Sequence, residues 1–156
     1  MEAAARAYRA RKGGTTLSAL NKFMTRGFVS PQVHGVLDYP LAAVLIAGPL
    51  LLDFDYKAAT VIALVLGGAA TVLAVGTNWT TGIVKVIPPL LHGYVDVLAT
   101  VALIVLPFAV GFSYRTNALL FYVIVGAGGL AATLATRFES PPSVRAESAM
   151  MVPKAA

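Results

Sequence analysis

The chain has 156 residues, of which 58% are hydrophobic and only 12% are charged, whereas a soluble domain carries about a quarter charged residues. This composition excludes an ordinary soluble domain and predicts a membrane protein. The absence of cysteine excludes disulfides, thiolate metal sites and thiol catalysis. The net charge of +5 is concentrated at the ends and in short connections, which predicts contact with lipid headgroups and no nucleic-acid partner.

Residues 1–30 are predicted to form a basic N-terminal segment that contains an interfacial helix. Leu17, Leu20, Phe23 and Met24 share one helical face, and the polar residues of this stretch lie elsewhere. This pattern predicts an amphipathic helix on the membrane surface. Packing of the same face against the protein's own bundle is the alternative, because amphipathicity alone does not identify the partner.

Residues 31–138 are predicted to form an all-α, polytopic domain of four transmembrane helices. Ser30 followed by Pro31 is typical of a helix start, since serine caps the helix and proline suits its first position. The predicted spans run from Pro31 to Asp53, from Ala58 to Asn78, from Pro89 to Phe112 and from Ala118 to Thr136. Each has the roughly 20 residues that cross a bilayer. Residues 139–156 lack periodicity and are predicted to be a flexible C-terminal tail.

The transmembrane domain contains an internal repeat. A shift of 58 positions superimposes repeat 1, residues 31–80, on repeat 2, residues 89–138, without a gap. The matches include Pro31 with Pro89, His34 with His92, Asp38 with Asp96, Pro49 with Pro107, Phe54 with Phe112 and Gly68 with Gly126. Each repeat is therefore predicted to be a helical hairpin, and the two tandem hairpins enter the membrane from the same side.

Small residues recur on the second helix of each repeat. Gly67 and Gly68 lie in the second span, and Gly126 and Gly129 lie in the fourth. Small side chains let membrane helices approach closely, so these four glycines are predicted to be helix-packing positions. Trp79 follows the second span, where an interfacial aromatic anchor is expected.

The distribution of basic residues predicts the topology. Lysine and arginine are concentrated in residues 1–30, in the middle connection and in the tail, whereas the two opposite turns carry only Lys57 and Arg115. The positive-inside rule then places both termini in the cytoplasm. We expect the protein in a bacterial cytoplasmic membrane, in contact with the lipid bilayer.

The repeat resembles that of the SPW-repeat integral membrane proteins of bacteria. The resemblance rests on the His-Gly-x-x-Asp openings at residues 34–38 and 92–96, the Leu-Ile-x-x-Pro segments ending at Pro49 and Pro107, and the phenylalanine of each turn. The Ser-Pro-Trp triplet that names the family reads Gly-Pro-Leu at residues 48–50 and Leu-Pro-Phe at residues 106–108. The resemblance implies a four-helix membrane fold and no particular reaction.

Two His-Asp pairs are the candidate site. His34 and Asp38, like His92 and Asp96, are four residues apart and share a helical face. If both faces point to the axis between the repeats, they suit a divalent metal ion, a haem held by two histidines, or proton handling. We favour a structural role, in which each aspartate orients its own histidine and the pairs tie the helices to the linker or the N-terminal segment.

These features predict a non-catalytic accessory or scaffold subunit of a larger membrane assembly, such as a photosynthetic or respiratory energy-transducing complex. The small body and the long basic and proline-rich ends suit contacts with other membrane-protein subunits. No cofactor is predicted under this hypothesis. A metal- or haem-binding membrane protein that uses the two His-Asp pairs is the alternative, and a small transporter is the third hypothesis.

Overall fold

Four helices make up most of the computed structural model, which describes residues 26–138. They are α1 (Pro31–Leu51), α2 (Lys57–Gly76), α3 (Pro89–Ala109) and α4 (Thr116–Ala135). All four are long and apolar enough to cross a membrane. Within residues 26–138 the only β pairing is two isolated bridges. The prediction of an all-α polytopic membrane protein is therefore confirmed, while the interfacial helix and the flexible tail fall on residues 1–25 and 139–156, outside the described part.

The ends of the helices follow from local signals in the sequence. The Ser30 hydroxyl accepts a hydrogen bond from the Val33 amide at 3.3 Å, and Pro31 opens α1. The first and third helices end slightly earlier than predicted. Asp53 adopts a φ of 44° and Gly111 a φ of 81°, and this left-handed conformation cannot continue a right-handed helix.

In each hairpin a glycine of the second helix allows close approach of the two helices. A Cβ added at Gly67 would lie 2.7 Å from Ile46 Cγ1 and 3.1 Å from the Ala42 carbonyl oxygen of α1. A Cβ added at Gly126 would lie 2.8 Å from Ile104 Cγ1, its counterpart on α3. These contacts leave no room for a side chain, as the small-residue pattern predicts for these two positions.

The other two predicted packing glycines differ from each other. A Cβ at Gly129 would lie 2.8 Å from the Thr100 Cγ2 atom, so this glycine also lies close to α3. A Cβ at Gly68 would meet no heavy atom within 4 Å. The packing role predicted for Gly68 is therefore corrected, because this residue lies beside the contact strip and not in it.

The register of the repeat explains this correction. The first helices, α1 and α3, correspond with a shift of 58, whereas the second helices, α2 and α4, correspond with a shift of 59. Gly126 is thus the counterpart of Gly67, not of Gly68. One extra residue lies in the second turn, between Phe112 and the start of α4, so the ungapped alignment is wrong for the second helix of each repeat.

Contacts at the turn end hold the two hairpins together. The Tyr122 hydroxyl donates to the Ala59 carbonyl at 2.7 Å, and the Asn117 side-chain amide donates to the Leu52 carbonyl at 2.8 Å. Arg115 and Asp55 form an ion pair across the turns. An aromatic cluster fills the space beneath, formed by Phe54, Phe112, Phe121 and Tyr122.

The opposite end is closed by a symmetric exchange of backbone hydrogen bonds. The Val29 amide donates to the Ala135 carbonyl, and the Arg137 amide donates to the Val29 carbonyl, both at 2.9 Å. Ile87, two residues before α3, repeats this pattern at the end of α2. Its amide donates to the Gly76 carbonyl at 2.9 Å, and its carbonyl accepts from the Asn78 amide at 2.8 Å. The segment before each first helix is thus paired with the end of the other repeat's second helix.

Candidate functional site

The two His-Asp pairs meet at this closed end, between the starts of α1 and α3. One ligand atom from each of His34, Asp38, His92 and Asp96 can be chosen so that all four lie within 4.8 Å of one another. His34 and His92 are 3% and 1% exposed, and Asp38 is 8% exposed. The structure therefore brings together all four residues that the sequence singled out, in a site almost closed to the surroundings.

The contacts cross between the hairpins as well as running along each helix. His34 Nε2 lies 2.9 Å from Asp96 Oδ2 on the other hairpin and 3.3 Å from Asp38 Oδ1 on its own helix. His92 Nε2 lies 2.9 Å from Asp96 Oδ2 and 3.3 Å from Asp38 Oδ2. Each aspartate thus faces both histidines, and the expected one-to-one pairing within a helix accounts for only half of these contacts.

Two threonines fix the orientation of the imidazoles. The Thr77 hydroxyl donates its single hydrogen to the Leu73 carbonyl at 2.6 Å, so it must accept from His92 Nδ1–H, 2.8 Å away. Thr136 repeats this arrangement with the Ala132 carbonyl at 2.7 Å and His34 Nδ1 at 2.9 Å. Both Nδ1 atoms therefore carry hydrogen, and both Nε2 atoms point to the carboxylates.

Polar atoms in the site are left without hydrogen bonds. Within the described part of the chain, His92 Nε2 and Asp38 Oδ2 are fully buried and have no hydrogen-bond partner. His92 Nε2 lies 2.9 Å from Asp96 Oδ2, so the two groups form an ion-pair contact without a well-directed hydrogen bond. Buried polar groups are nearly always hydrogen-bonded, so these two atoms are exceptions that need an explanation.

Two aromatic rings cover the imidazoles. Trp79 packs against His92 with ring centroids 4.2 Å apart, and Phe138 packs against His34 at 5.1 Å. A Cβ at Gly35 would lie 2.9 Å from Trp79 Cε2, so the glycine of the His-Gly motif leaves room for the indole. Trp79 is only 6% exposed and is a wall of the site, not the interfacial anchor predicted from its position.

The sequence reasoning missed Thr77, Thr136 and Phe138 as members of the site. The signal that could have found them is the corrected shift of 59, which matches Thr77 with Thr136 and Trp79 with Phe138. The threonines directly follow the second helix of each repeat, and Trp79 and Phe138 lie two residues further on. The ungapped shift of 58 concealed both matches.

Comparison with known families places most of the chain in one of them. The SPW repeat domain family matches residues 32–136, which is more than half of the chain. The chain belongs to the SPW repeat family. The matched range contains both His-Asp pairs and both threonines, and no curated protein and no solved structure matches the chain.

This SPW repeat protein also contains a large cavity between its two hairpins. The cavity has a volume of about 510 Å³ and begins at His34, Asp38 and Asp96. From there it extends between all four helices to Leu45 and Leu103. The two hairpins therefore touch at both ends of the bundle and leave space in the middle.

Proposed function

We propose that this SPW repeat protein binds a divalent transition-metal ion through His34, Asp38, His92 and Asp96. The observation that carries the proposal is the convergence of one ligand atom from each residue within 4.8 Å. In a tetrahedral site with bonds of about 2.0–2.2 Å, neighbouring ligand atoms lie about 3.3–3.6 Å apart. Each histidine Nε2 lies 3.3 Å from an Asp38 oxygen, Oδ1 for His34 and Oδ2 for His92, and 2.9 Å from Asp96 Oδ2, so these spacings are already close to those of a tetrahedral site.

The threonines support the same proposal. A metal-binding histidine usually donates its other ring N–H to a neighbouring acceptor, which fixes the tautomer and the orientation of the ring. Thr77 and Thr136 are such acceptors, so each Nε2, once it has lost any proton it carries, presents a lone pair to an ion. Two carboxylates balance the charge of a divalent cation, which lowers the cost of burying that charge.

The ligand set favours some occupants over others. Imidazole and carboxylate together suit zinc and ferrous iron, while no cysteine is present to select softer metals. A haem held by both histidines fits less well. Its macrocycle would lie between the two imidazoles, where Asp96 Oδ2 is 2.9 Å from both Nε2 atoms.

Metal analysis of the purified protein tests the proposal. Wild type loaded with zinc should retain one ion per chain. Asp38→Asn and Asp96→Asn should bind zinc roughly 100-fold more weakly, because loss of a ligand costs at least as much affinity as loss of a group that only supports a ligand. Asp55→Asn is the matched control, because its carboxylate lies at the opposite end of the bundle and pairs with Arg115. Wild type that binds no metal, with both Asn variants stable, would contradict the proposal and leave the cluster as a tether between the hairpins.

An accessory role in a larger membrane assembly is a second proposal, and it is compatible with a bound metal. The connection between the hairpins supports it, because Ile83, Val84 and Val86 are 77%, 59% and 72% exposed at the end of the bundle. An exposed apolar edge of this kind suits another membrane subunit. The preparation used for metal analysis tests this as well: co-purifying chains in a mild detergent support the role, and a single species contradicts it.

We also propose that the closed end of the bundle, which holds the His-Asp pairs, faces the cytoplasm of a bacterial cell. Lys85 lies at this end, and Arg26 and Arg137 flank the bundle there, whereas the turn end carries Lys57 and an arginine already paired with Asp55. A reporter inserted after Asp55 should therefore be active only outside the cytoplasmic membrane, and one fused after Ala156 only inside. The reverse pattern would contradict this orientation.

A further inference from the structure

The cavity between the hairpins is a deep pocket whose ionisable groups are confined to one end. His34, Asp38 and Asp96 line that end. Leu45 lies 11 residues beyond His34 on α1, so the pocket extends about 16 Å along the helix at 1.5 Å per residue. Its volume of about 510 Å³ lies in the range of small-molecule sites.

The two threonines deeper in the pocket offer no hydrogen-bond donor to a ligand. The Thr100 hydroxyl donates to the Asp96 carbonyl at 2.7 Å, and the Thr133 hydroxyl donates to the Gly129 carbonyl at 2.9 Å. Beyond the His-Asp end the remaining wall is aliphatic. A ligand of this pocket therefore needs an apolar body and a polar group at one tip.

The pocket also opens sideways into the region that the membrane surrounds. Leu37, Val72 and Val95 line the pocket, yet 49%, 70% and 39% of their surfaces are exposed. All three lie within membrane-spanning helices. A ligand can therefore enter from the hydrocarbon layer without crossing water.

We propose that this pocket binds a long-chain amphiphile with a hydrogen-bond-donating headgroup, a hydroxyl or an amine, placed against Asp96. A carboxylate is a hydrogen-bond acceptor, and the Asp96 side chain is 19% exposed, more than the other three side chains of the cluster. Its contacts with both imidazoles use Oδ2. In the metal-free protein, which is the form titrated below, an anionic headgroup is disfavoured by repulsion from the aspartates. The proposal does not depend on the metal, because it rests on the pocket and its polar end.

The single tryptophan of the chain reports binding at the polar end. Trp79 is buried, and its ring centroid lies 4.2 Å from that of His92 and 5.9 Å from that of His34. We would reconstitute the full chain in phosphatidylcholine nanodiscs and titrate dodecanol carrying bromine next to its hydroxyl group. Quenching of Trp79 fluorescence should saturate. Dodecanoic acid with bromine at the same position should bind more weakly.

A substitution that fills the pocket separates specific binding from partitioning into lipid. Gly128 lines the pocket, and a Cβ there would meet no heavy atom within 4 Å, so Gly128→Leu should fill space without a clash. Gly68→Leu is the matched control, since that position is equally open but does not line the pocket. Gly128→Leu should weaken quenching by roughly tenfold, and Gly68→Leu should match wild type.

Ala69→Leu, on a different wall of the pocket, is a second filling variant in case the first one folds poorly. Equal quenching in the filled variants and in Gly68→Leu would overturn the proposal, as would tighter binding of the acid than of the alcohol. The metal content of Gly128→Leu, measured in parallel, should equal that of wild type. Failure of the pocket proposal is thereby distinguished from failure of the metal proposal.

Discussion

Gly67→Leu and Gly126→Leu should each destabilise the bundle strongly, and the double variant should not form a stable bundle. At Gly67 the first side-chain carbon alone would lie 3.0 Å from Leu45 Cβ and 3.1 Å from a backbone oxygen of the facing helix. Neither atom can move without moving α1, so the hairpin has to open. Overpacking of this kind costs about 1–3 kcal/mol per site, a large share of the stability of a small domain.

The control for this prediction is the neighbouring glycine. Gly68→Leu introduces the same side chain into the same helix one residue later, where no heavy atom lies within 4 Å. Its stability should stay within about 0.5 kcal/mol of wild type. Thermal aggregation of the detergent-solubilised proteins gives the comparison. Equal midpoints for Gly67→Leu and Gly68→Leu would show that the helices do not depend on close approach at Gly67.

The variant Thr77→Val/Thr136→Val should lose both the orientation of the histidines and much of their affinity for metal. Valine keeps the shape of threonine but cannot accept from Nδ1–H. Each buried imidazole would then carry an unsatisfied donor, which costs about 1–3 kcal/mol. Loss of a group that hydrogen-bonds to a metal ligand lowers metal affinity by roughly 10–100-fold per site. Zinc competition with a calibrated chelator measures this affinity.

Thr71→Val provides the comparison for this variant. The Thr71 hydroxyl donates to the Gly67 carbonyl at 2.9 Å, so it makes the same helical hydrogen bond as Thr77 without contacting a histidine. It should retain wild-type zinc affinity. If the double variant also keeps wild-type affinity, the threonines do not orient the metal ligands, and the tautomer argument fails.

Hydropathy and the internal repeat were sufficient to predict the four helices and their pairing into hairpins. Both signals are local, because each span is long, apolar and bounded by proline, glycine or charged residues. The register of the second helices was not predictable in the same way. The matches of Tyr56 with Tyr114 and Gly68 with Gly126 supported an ungapped alignment, although one residue is inserted in the second turn.

The convergence of the His-Asp pairs was considered from the sequence, but its geometry was not. Which aspartate faces which histidine depends on how the two hairpins dock, and no periodicity within one helix encodes that arrangement. The threonine contacts join His92 to the end of α2 and His34 to the end of α4. Such contacts between helices are set by tertiary packing, which a single sequence does not reveal.

The exchange of backbone hydrogen bonds at the closed end makes the two junctions between the repeats equivalent, as in a circularly symmetric fold. Val29 is bonded to the residues around the end of α4 in the same way as Ile87 is bonded to the end of α2. Cutting the connection between α2 and α3 and joining the regions around Val29 and Arg137 would therefore preserve every helix contact. Neither hairpin contains a complete site by itself, since each histidine faces an aspartate of the other hairpin. Two identical copies of one hairpin, associated as a homodimer, would form the same four-residue cluster, so a single hairpin is sufficient to encode the whole site.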